Sequence, residues 1–271
     1  MSQHIKRAFL DTDDGQILYR VAGKGEALLL LHMAPRSSDE FLEIMPILAQ
    51  DRQVIAMDLM GLGDSDQPPR EYSVNDYAQS AIALWDELGI KKCSVLGSLT
   101  GGYIAGAIAV AYPERVDKLI LCNVPGFDQD EQEKILQKYT AGFSLEEDGS
   151  HLTARWSARM SNLGNQELNH RCVIDDLKCF SSPVYPAIAA TNYFLKAKEQ
   201  FCSIKCQTLI LSGQKALQPL IKAGLAKAEN QLWLSEAISH SQKVELAKGT
   251  MWMMNQMPEA IAKIVKDFLQ N

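Results

Sequence analysis

The sequence has no excess of positive charge. Its 27 lysine and arginine residues are outnumbered by 33 aspartate and glutamate residues, which gives a formal net charge of −6. Binding to nucleic acid depends on basic patches that neutralise phosphates. The charge balance therefore argues against a nucleic-acid partner.

Long hydrophobic runs are also absent. No run approaches the roughly 20 apolar residues that a membrane-spanning helix needs, and the first residues, MSQHIKRAFLDTDDG, lack the apolar core of a signal peptide. From these absences we expect a cytoplasmic protein without a membrane span.

Clustered cysteines are missing. The six cysteines are spread along the chain, and only Cys202 and Cys206 lie close together, with no histidine or second pair nearby. Because zinc sites need such clusters, we expect reduced thiols and neither a metal ion nor a cofactor.

What is present is a regular alternation of short apolar runs and longer amphipathic ones in a chain of 271 residues that is 46% hydrophobic. This order predicts a mainly parallel sheet with helices on both faces. The predicted strands are Arg7–Thr12, Ile17–Ala22, Ala27–His32, Gln53–Asp58, Cys93–Gly97, Lys118–Asn123, Thr208–Gly213 and Lys243–Ala247. The predicted helices are Asp39–Gln50, Val74–Leu88, Gly102–Tyr112, Leu217–Lys227 and Pro258–Leu269.

Two segments depart from this alternation. The turn sequence DTDDGQ joins the first two strands as a hairpin, so the sheet is expected to begin antiparallel. Residues 126–204 are rich in charge and contain helical stretches without a clear strand. We predict a helical cap at 126–204, inserted into an α/β core formed by 1–125 and 205–271.

Four stretches carry a resemblance to a known family. They are LLLLHMAPRSSDEF, VIAMDLMGLGDSD, VLGSLTGGYIAGAIAVAYPERVDKLILCNVPG and MPEAIAKIVKDFL. Together they resemble the α/β-hydrolase superfamily over nearly the whole chain. The resemblance implies an α/β-hydrolase fold, with a mostly parallel eight-stranded sheet flanked by helices and a helical cap.

The resemblance also locates the positions of a Ser-His-Asp triad, and none of them holds a catalytic residue type. The family's elbow reads Gly-x-nucleophile-x-Gly, and Gly97 and Gly101 place Leu99 at the nucleophile position. The acid position after the seventh strand holds Ala216, and the histidine position holds Met251. Because these side chains cannot attack, ionise or relay a proton, the triad is predicted to be degenerate.

Other groups in the same regions remain candidates for chemistry. By resemblance, the backbone N–H groups of Thr100 and of Met33 or Ala34 would form an oxyanion hole. Ser98 is a candidate nucleophile if the turn is displaced by one residue, although this moves Gly97 and Gly101 out of frame. Asp58 is the remaining carboxylate nearest the expected pocket.

Ligand contacts are expected beyond the carboxyl ends of the strands, where open α/β sheets bind ligands. The methionines there suggest a flexible apolar cavity, and Arg36 could pair with a ligand carboxylate. Structural roles in packing or loop bracing compete for each of these residues. The candidate substrate-binding residues are His32, Met33, Arg36, Met60, Leu99, Trp252 and Met253.

Three functions fit this pattern. The favoured one is a non-hydrolytic enzyme that cyclises, isomerises or eliminates from a small apolar or amphipathic molecule under the cap, without a covalent intermediate. The second is a catalytically silent ligand- or partner-binding protein. The third is a hydrolase with an unorthodox constellation that uses Ser98, Thr100 or a histidine of the cap, His151 or His170.

Overall fold

The protein forms an eight-stranded sheet in the order β1-β2-β4-β3-β5-β6-β7-β8. A computed structural model describes residues 4–179 and 183–270. The first two strands pair antiparallel, as does β2 with β4, and the remaining neighbours are parallel. The α/β-hydrolase fold with a mostly parallel sheet is therefore confirmed. The strands are β1 Lys6–Thr12, β2 Gly15–Ala22, β3 Ala27–Leu31, β4 Gln53–Met57, β5 Cys93–Ser98, β6 Val116–Cys122, β7 Gln207–Gly213 and β8 Gln242–Leu246.

Helices cover both faces of the sheet. The α-helices are α1 Met45–Leu48, α2 Val74–Glu87, α3 Thr100–Ala111, α4 Gln129–Ala141, α5 Ser150–Leu163, α6 Gln166–Lys178, α7 Tyr185–Gln200, α8 Gln218–Lys222, α9 Trp233–Ala237, α10 Met253–Gln256 and α11 Pro258–Gln270. One core lies between the sheet and α2, α3 and α7, and a second lies between the opposite face and α1 and α11. Within the described residues, no helix is long and apolar enough to cross a membrane.

Local sequence explains where the principal helices begin. The side chain of Ser73 accepts a hydrogen bond from the Asp76 amide, and the Asp76 carboxylate accepts one from the Ser73 amide, so the two residues cap α2 reciprocally. Asp128 and Glu131 cap α4 in the same way. These caps satisfy backbone donors that the first helical turn leaves without partners.

Two predicted helices are wrong in length. Residues 39–50 form a 3₁₀ turn at Ser38–Phe41 and the short α1, because Pro46 cannot donate the hydrogen bond that a continuous helix requires. The helix predicted to reach Lys227 ends at Lys222, two residues before Gly224, which adopts a left-handed φ of +67°.

Between β6 and β7, the residues that the structure describes include the α-helices α4 to α7. Of these, α7 packs against α3 in the larger core through Tyr193, Phe194 and Ala197. The helix α6 is fastened instead to the loop that follows β3. The helix α4 packs on α7, and α5 packs on α6; both α4 and α5 line a cavity that Leu99, at the carboxyl end of β5, also lines.

Candidate functional site

A sharp turn between β5 and α3 places Leu99 at the centre of the site. Leu99 adopts φ 44° and ψ −106°, a region that L residues rarely occupy. The turn is this tight because a Cβ on Gly97 would lie 2.2 Å from the carbonyl oxygen of Gly101, and one on Gly101 would lie 2.1 Å from that of Leu31. The two glycines therefore hold the turn closed, and Leu99 takes up the strained backbone at its tip.

The tip residue contacts apolar side chains. Leu99 belongs to a cluster with Met33, Trp252, Leu163 and Cys172, against which Met251 also packs. A cavity of about 300 Å³ opens next to this cluster, and both Leu99 and Met251 line it. Leu99 and Met251, two of the three residues predicted at triad positions, thus meet at one cavity.

The third position, Ala216, does not reach this cavity. It lies in the turn after β7, where its amide donates to the carbonyl oxygen of Gly213 at 3.0 Å. Its side chain is buried and borders a separate depression beside β7 and β8. The structure therefore brings Leu99 and Met251 together and leaves Ala216 apart.

Among the described residues, no histidine accompanies a serine at this cavity. The sequence contains five histidines, all of them within the described residues, and none lines the cavity. Ser98 is 1% exposed at the end of β5 and does not line the cavity either, and its hydroxyl lies next to the buried carboxyl of Glu40. Between β6 and β7, His151 accepts a hydrogen bond from the Glu146 amide and His170 packs against Trp156.

The backbone donors of an oxyanion hole are only partly as expected. The Met33 amide donates to Oε2 of Glu40 at 2.8 Å, so it is not available to a ligand. The amides of Ala34 and Thr100 have no partner among the described residues, and both residues line the cavity. Of the three residues, Ala34 and Thr100 are therefore the ones whose amides are not engaged by a described residue.

The side chains of His32 and Asp58 form hydrogen bonds within the protein. The two ring nitrogens of His32 bond to the Met33 carbonyl at 2.8 Å and the Leu59 amide at 2.9 Å, and burial lowers its pKa. Asp58 accepts from the amides of Ser38 and Asp64. Both side chains are fully buried, and neither lines the cavity. Both side chains hold together the loops after β3 and β4. The structure therefore places neither the predicted ligand contact, His32, nor the predicted catalytic residue, Asp58, at the cavity.

Two methionines expected at the pocket lie in the cores instead. Met60 packs in the larger core, where the Tyr77 hydroxyl donates to its carbonyl at 3.4 Å. Met253 begins α10 and packs with α11 in the second core. Of the methionines, Met33 and Met251 line the cavity.

Four basic side chains line the cavity, and only Arg36 was foreseen from the sequence. Lys138 comes from α4, and Arg155 and Arg159 come from α5. The spacing of Arg155 and Arg159, four residues apart, places them on one helix face, but the sequence does not show that this face turns inward. Arg159 lies over the Trp252 ring, 5.2 Å from its centroid.

Arg36 ties the loop after β3 to α6. Its Nε donates to Asp175 at 2.5 Å, and its Nη2 contacts Asp39 at 3.2 Å. Ser37 also donates to Asp175 through its amide and its hydroxyl. Burial opposes ionisation of Asp175, but Arg36 and Ser37 outweigh it and lower the pKa of this carboxyl.

Glu40 is a buried carboxyl directly behind the elbow. Burial raises its pKa from 4.5 to about 7, although Arg36, the Met33 amide and Ser98 act in the opposite direction. Because the pKa of Glu40 is higher in the folded protein than in the unfolded chain, protonation of this carboxyl favours the folded protein. This contribution to the free energy of unfolding is fully present below about pH 4.5. It is lost as the pH rises through about 7.

The free energy of unfolding of Glu40→Gln is therefore expected to fall less steeply than that of wild type between pH 5 and pH 8. The difference in unfolding free energy between the two proteins should change by on the order of 3 kcal/mol across this range. Urea unfolding at several pH values measures it, with the exposed Glu87→Gln as the matched control. Equal slopes for wild type and Glu40→Gln would show that Glu40 stays ionised in the folded protein.

The donors present do not assemble a metal site. Among the residues in the two described ranges, no group of three or more histidine, cysteine, aspartate or glutamate side chains could hold a metal ion. All six cysteines are unpaired. What the site offers chemically is two backbone donors, apolar walls and a basic lining.

Sequence comparisons connect the chain to known hydrolases over part of its length. It is 38% identical over 109 residues to the soluble epoxide hydrolase of Corynebacterium sp. (strain C12), covering 40% of this chain and 38% of that protein. It is 33% identical over 109 residues to the 2-hydroxymuconate semialdehyde hydrolase of Pseudomonas sp. (strain CF600), covering 39% of this chain and 38% of that one. The matches thus span less than two fifths of these relatives.

Similarity in structure extends over the whole chain. The 2-hydroxy-6-oxo-6-phenylhexa-2,4-dienoate hydrolase of Rhodococcus sp. strain RHA1 superposes with a TM-score of 0.78 at 18% identity, covering 99% of this chain and 100% of that one. A hydrolase from Pseudomonas aeruginosa PA01 gives 0.77 at 19% identity, covering 98% of each chain. The family model for the alpha/beta hydrolase fold matches residues 26–201. With the sheet order and the elbow already described, this match shows that the chain belongs to the α/β-hydrolase family.

Proposed function

We propose that the protein is a non-hydrolytic enzyme that binds a small apolar or amphipathic molecule in the cavity beside Leu99. It catalyses a cyclisation, isomerisation or elimination without a covalent intermediate. In this proposal, residues 126–204 act as the cap over a core formed by 1–125 and 205–271. The single observation that supports it is the tip of the elbow, where Leu99, the residue predicted at the nucleophile position, shares the lining of one cavity with Ala34 and Thr100, whose amides have no partner among the described residues.

The proposed catalysis depends on these two amides. They donate to a substrate oxygen and stabilise the negative charge that develops when an enolate-like transition state forms. In enzymes that use such donors, removing one costs roughly 100- to 1,000-fold in rate. The apolar side chains of Leu99, Met251 and Trp252 hold the substrate in one conformer and exclude water from it.

Hydrolysis is the competing function, because the named relatives are hydrolases. The cavity counts against it, since Leu99 and Met251 cannot supply a nucleophile and a base. A hydrolase that uses Ser98 would need that hydroxyl in the cavity, and Ser98 does not line it. A catalytically silent binding protein would use the same cavity, and it would differ from the proposed enzyme only in leaving its ligand unconverted.

One experiment separates these functions. Small molecules that copurify with the protein from its native source are extracted, identified by mass spectrometry, and incubated with fresh protein in ¹⁸O-labelled water. The proposal predicts conversion to a product without ¹⁸O. A product that carries ¹⁸O would show hydrolysis, and an unchanged molecule would show binding without catalysis; either result contradicts the proposal.

The single variant Leu99→Ser is expected to leave ester hydrolysis at the uncatalysed background. Its new hydroxyl would have no histidine to take its proton, and catalytic residues that act as a unit contribute little singly. The assay is turnover of p-nitrophenyl butyrate, together with labelling by a fluorophosphonate, for wild type and Leu99→Ser.

The matched control for this assay is Ser98→Ala. A mass increase of one probe per wild-type chain, abolished in Ser98→Ala, would identify Ser98 as a nucleophile. Rapid turnover by Leu99→Ser would reveal a base facing the elbow. Either finding would favour the hydrolase.

A further inference from the structure

We infer that the cavity recognises a carboxylate on an otherwise apolar substrate, through a basic subsite formed by Lys138, Arg155 and Arg159 together with the free Nη1 of Arg36. This inference rests on the proposed function, because it specifies the substrate class of the same cavity. It extends that proposal from apolar molecules in general to apolar acids.

The charges around the cavity are unequal. Lys138, Arg155 and Arg159 carry three positive charges, and the carboxylate that contacts this group is Asp176. Asp176 bonds Arg159 at 2.5 Å and lies 3.7 Å from Arg155. No aspartate or glutamate is among the described residues that line the cavity. Counted over the described residues and their given ion pairs, this side of the cavity therefore has two positive charges more than it has negative ones.

The basic side chains of this group influence one another's pKa values. Desolvation on the cavity side, together with Arg155 and Arg159, lowers the pKa of Lys138, although the residue as a whole is exposed. Burial and Arg159 likewise lower the pKa of Arg155, although Asp176 acts in the opposite direction. Lys138 forms no ion pair with any described residue. A bound anion would relieve the repulsion among these cations.

Arg36 supplies an independent observation. This side chain is 1% exposed and lines the cavity, and its Nη1 is buried without a hydrogen-bond partner. A buried donor without a partner is costly, and the other nitrogens of Arg36 are held in place by Asp175 and Asp39. A ligand carboxylate that accepts from Nη1 would satisfy this donor at a guanidinium group that is already oriented.

The rest of the cavity suits a hydrocarbon body. Leu99, Met251, Trp252, Phe127 and Ile135 line it, so apolar and basic walls face the same space. The hydroxyl of Tyr139, also on the lining, has no partner among the described residues and adds one more donor. An amphipathic acid matches both kinds of wall.

The test compares three ligands with the same chain by isothermal titration calorimetry at pH 7: octanoate, octan-1-ol and octyl phosphate. Octanoate is expected to bind wild type about tenfold more tightly than octan-1-ol, because hydrogen bonds to a charged group are the stronger ones. Octyl phosphate is expected to bind no more tightly than octanoate. The variants Lys138→Gln and Arg155→Gln should each weaken octanoate binding about three- to tenfold and leave octan-1-ol unchanged.

The matched control is Lys134→Gln, one turn earlier on α4. Lys134 is exposed, pairs with Asp130 and does not line the cavity. Its loss removes the same charge and should not affect octanoate. Because Lys138 is exposed and forms no ion pair with a described residue, its variant tests the inference even if Arg155→Gln folds poorly.

Several results would overturn the inference. Equal binding of octanoate and octan-1-ol, tighter binding of octyl phosphate, or an equal loss in Lys134→Gln and Lys138→Gln would each do so. If octan-1-ol still binds in those cases, the apolar cavity of the proposed enzyme survives and only the carboxylate subsite fails. Failure of the proposed function itself is detected separately, by ¹⁸O incorporation or by the absence of turnover.

Discussion

Replacing Gly101 with alanine is expected to lower the free energy of unfolding by about 3 kcal/mol. A methyl group at this position would lie 2.1 Å from the carbonyl oxygen of Leu31 and 2.8 Å from that of His32. Both neighbours are backbone atoms at the end of a central strand, so they cannot move aside as a flexible side chain can. The helix α3 must then separate from β3, and the elbow that holds Leu99 opens.

Urea unfolding measures this effect, and Gly89→Ala is the control. Gly89 has φ +68° but nothing within 4 Å of the added methyl group, so its variant shows the backbone cost alone, about 1 kcal/mol. If Gly101→Ala is no less stable than Gly89→Ala, close packing does not hold the elbow closed.

The variant Asp175→Asn is expected to cost about 3–5 kcal/mol of unfolding free energy, as is typical when one partner of a buried ion pair is removed. Arg36 and Asp175 are 1% and 4% exposed, and the asparagine would leave the guanidinium with Asp39 alone. The effect is large because water cannot replace the lost charge at this depth.

The control for Asp175→Asn is Asp117→Asn. Asp117 pairs with Lys92 at 3.0 Å, but both side chains are well exposed, and exposed pairs contribute at most about 1 kcal/mol. Urea unfolding of both variants beside wild type gives the comparison. A similar small loss in both would mean that water reaches Arg36 and that the loop after β3 is not firmly attached to α6.

The sheet could be predicted closely because buried strands have a simple signal. Ala27–Leu31 is an unbroken apolar run with every residue buried, and the expected strand differs from it by one residue. Short helices were harder to predict. The residues around Pro46 have an apolar pattern that suits one long helix, and the proline interrupts it at a point that periodicity does not show.

The site was predictable where backbone geometry determines it. Gly97 and Gly101 located Leu99 because few residues tolerate that turn. Asp58 and Ser98 were harder to assign, since their roles depend on which amides and which space lie next to them. The inward face of α5 could not be deduced at all, because the orientation of a helix between β6 and β7 depends on packing between distant segments.

The attachment of α6 has a consequence for how fast a ligand can exchange. Separating α6 from the loop that follows β3 would break the buried pair between Arg36 and Asp175 and both bonds from Ser37. Ligand exchange that requires this separation therefore has a high kinetic barrier. Lys138 lines the cavity and is exposed, so a ligand that enters and leaves beside Lys138 would not break these bonds. The residence time of a ligand that exchanges there is expected to depend on motions of the side chains around Lys138, rather than on displacement of α6.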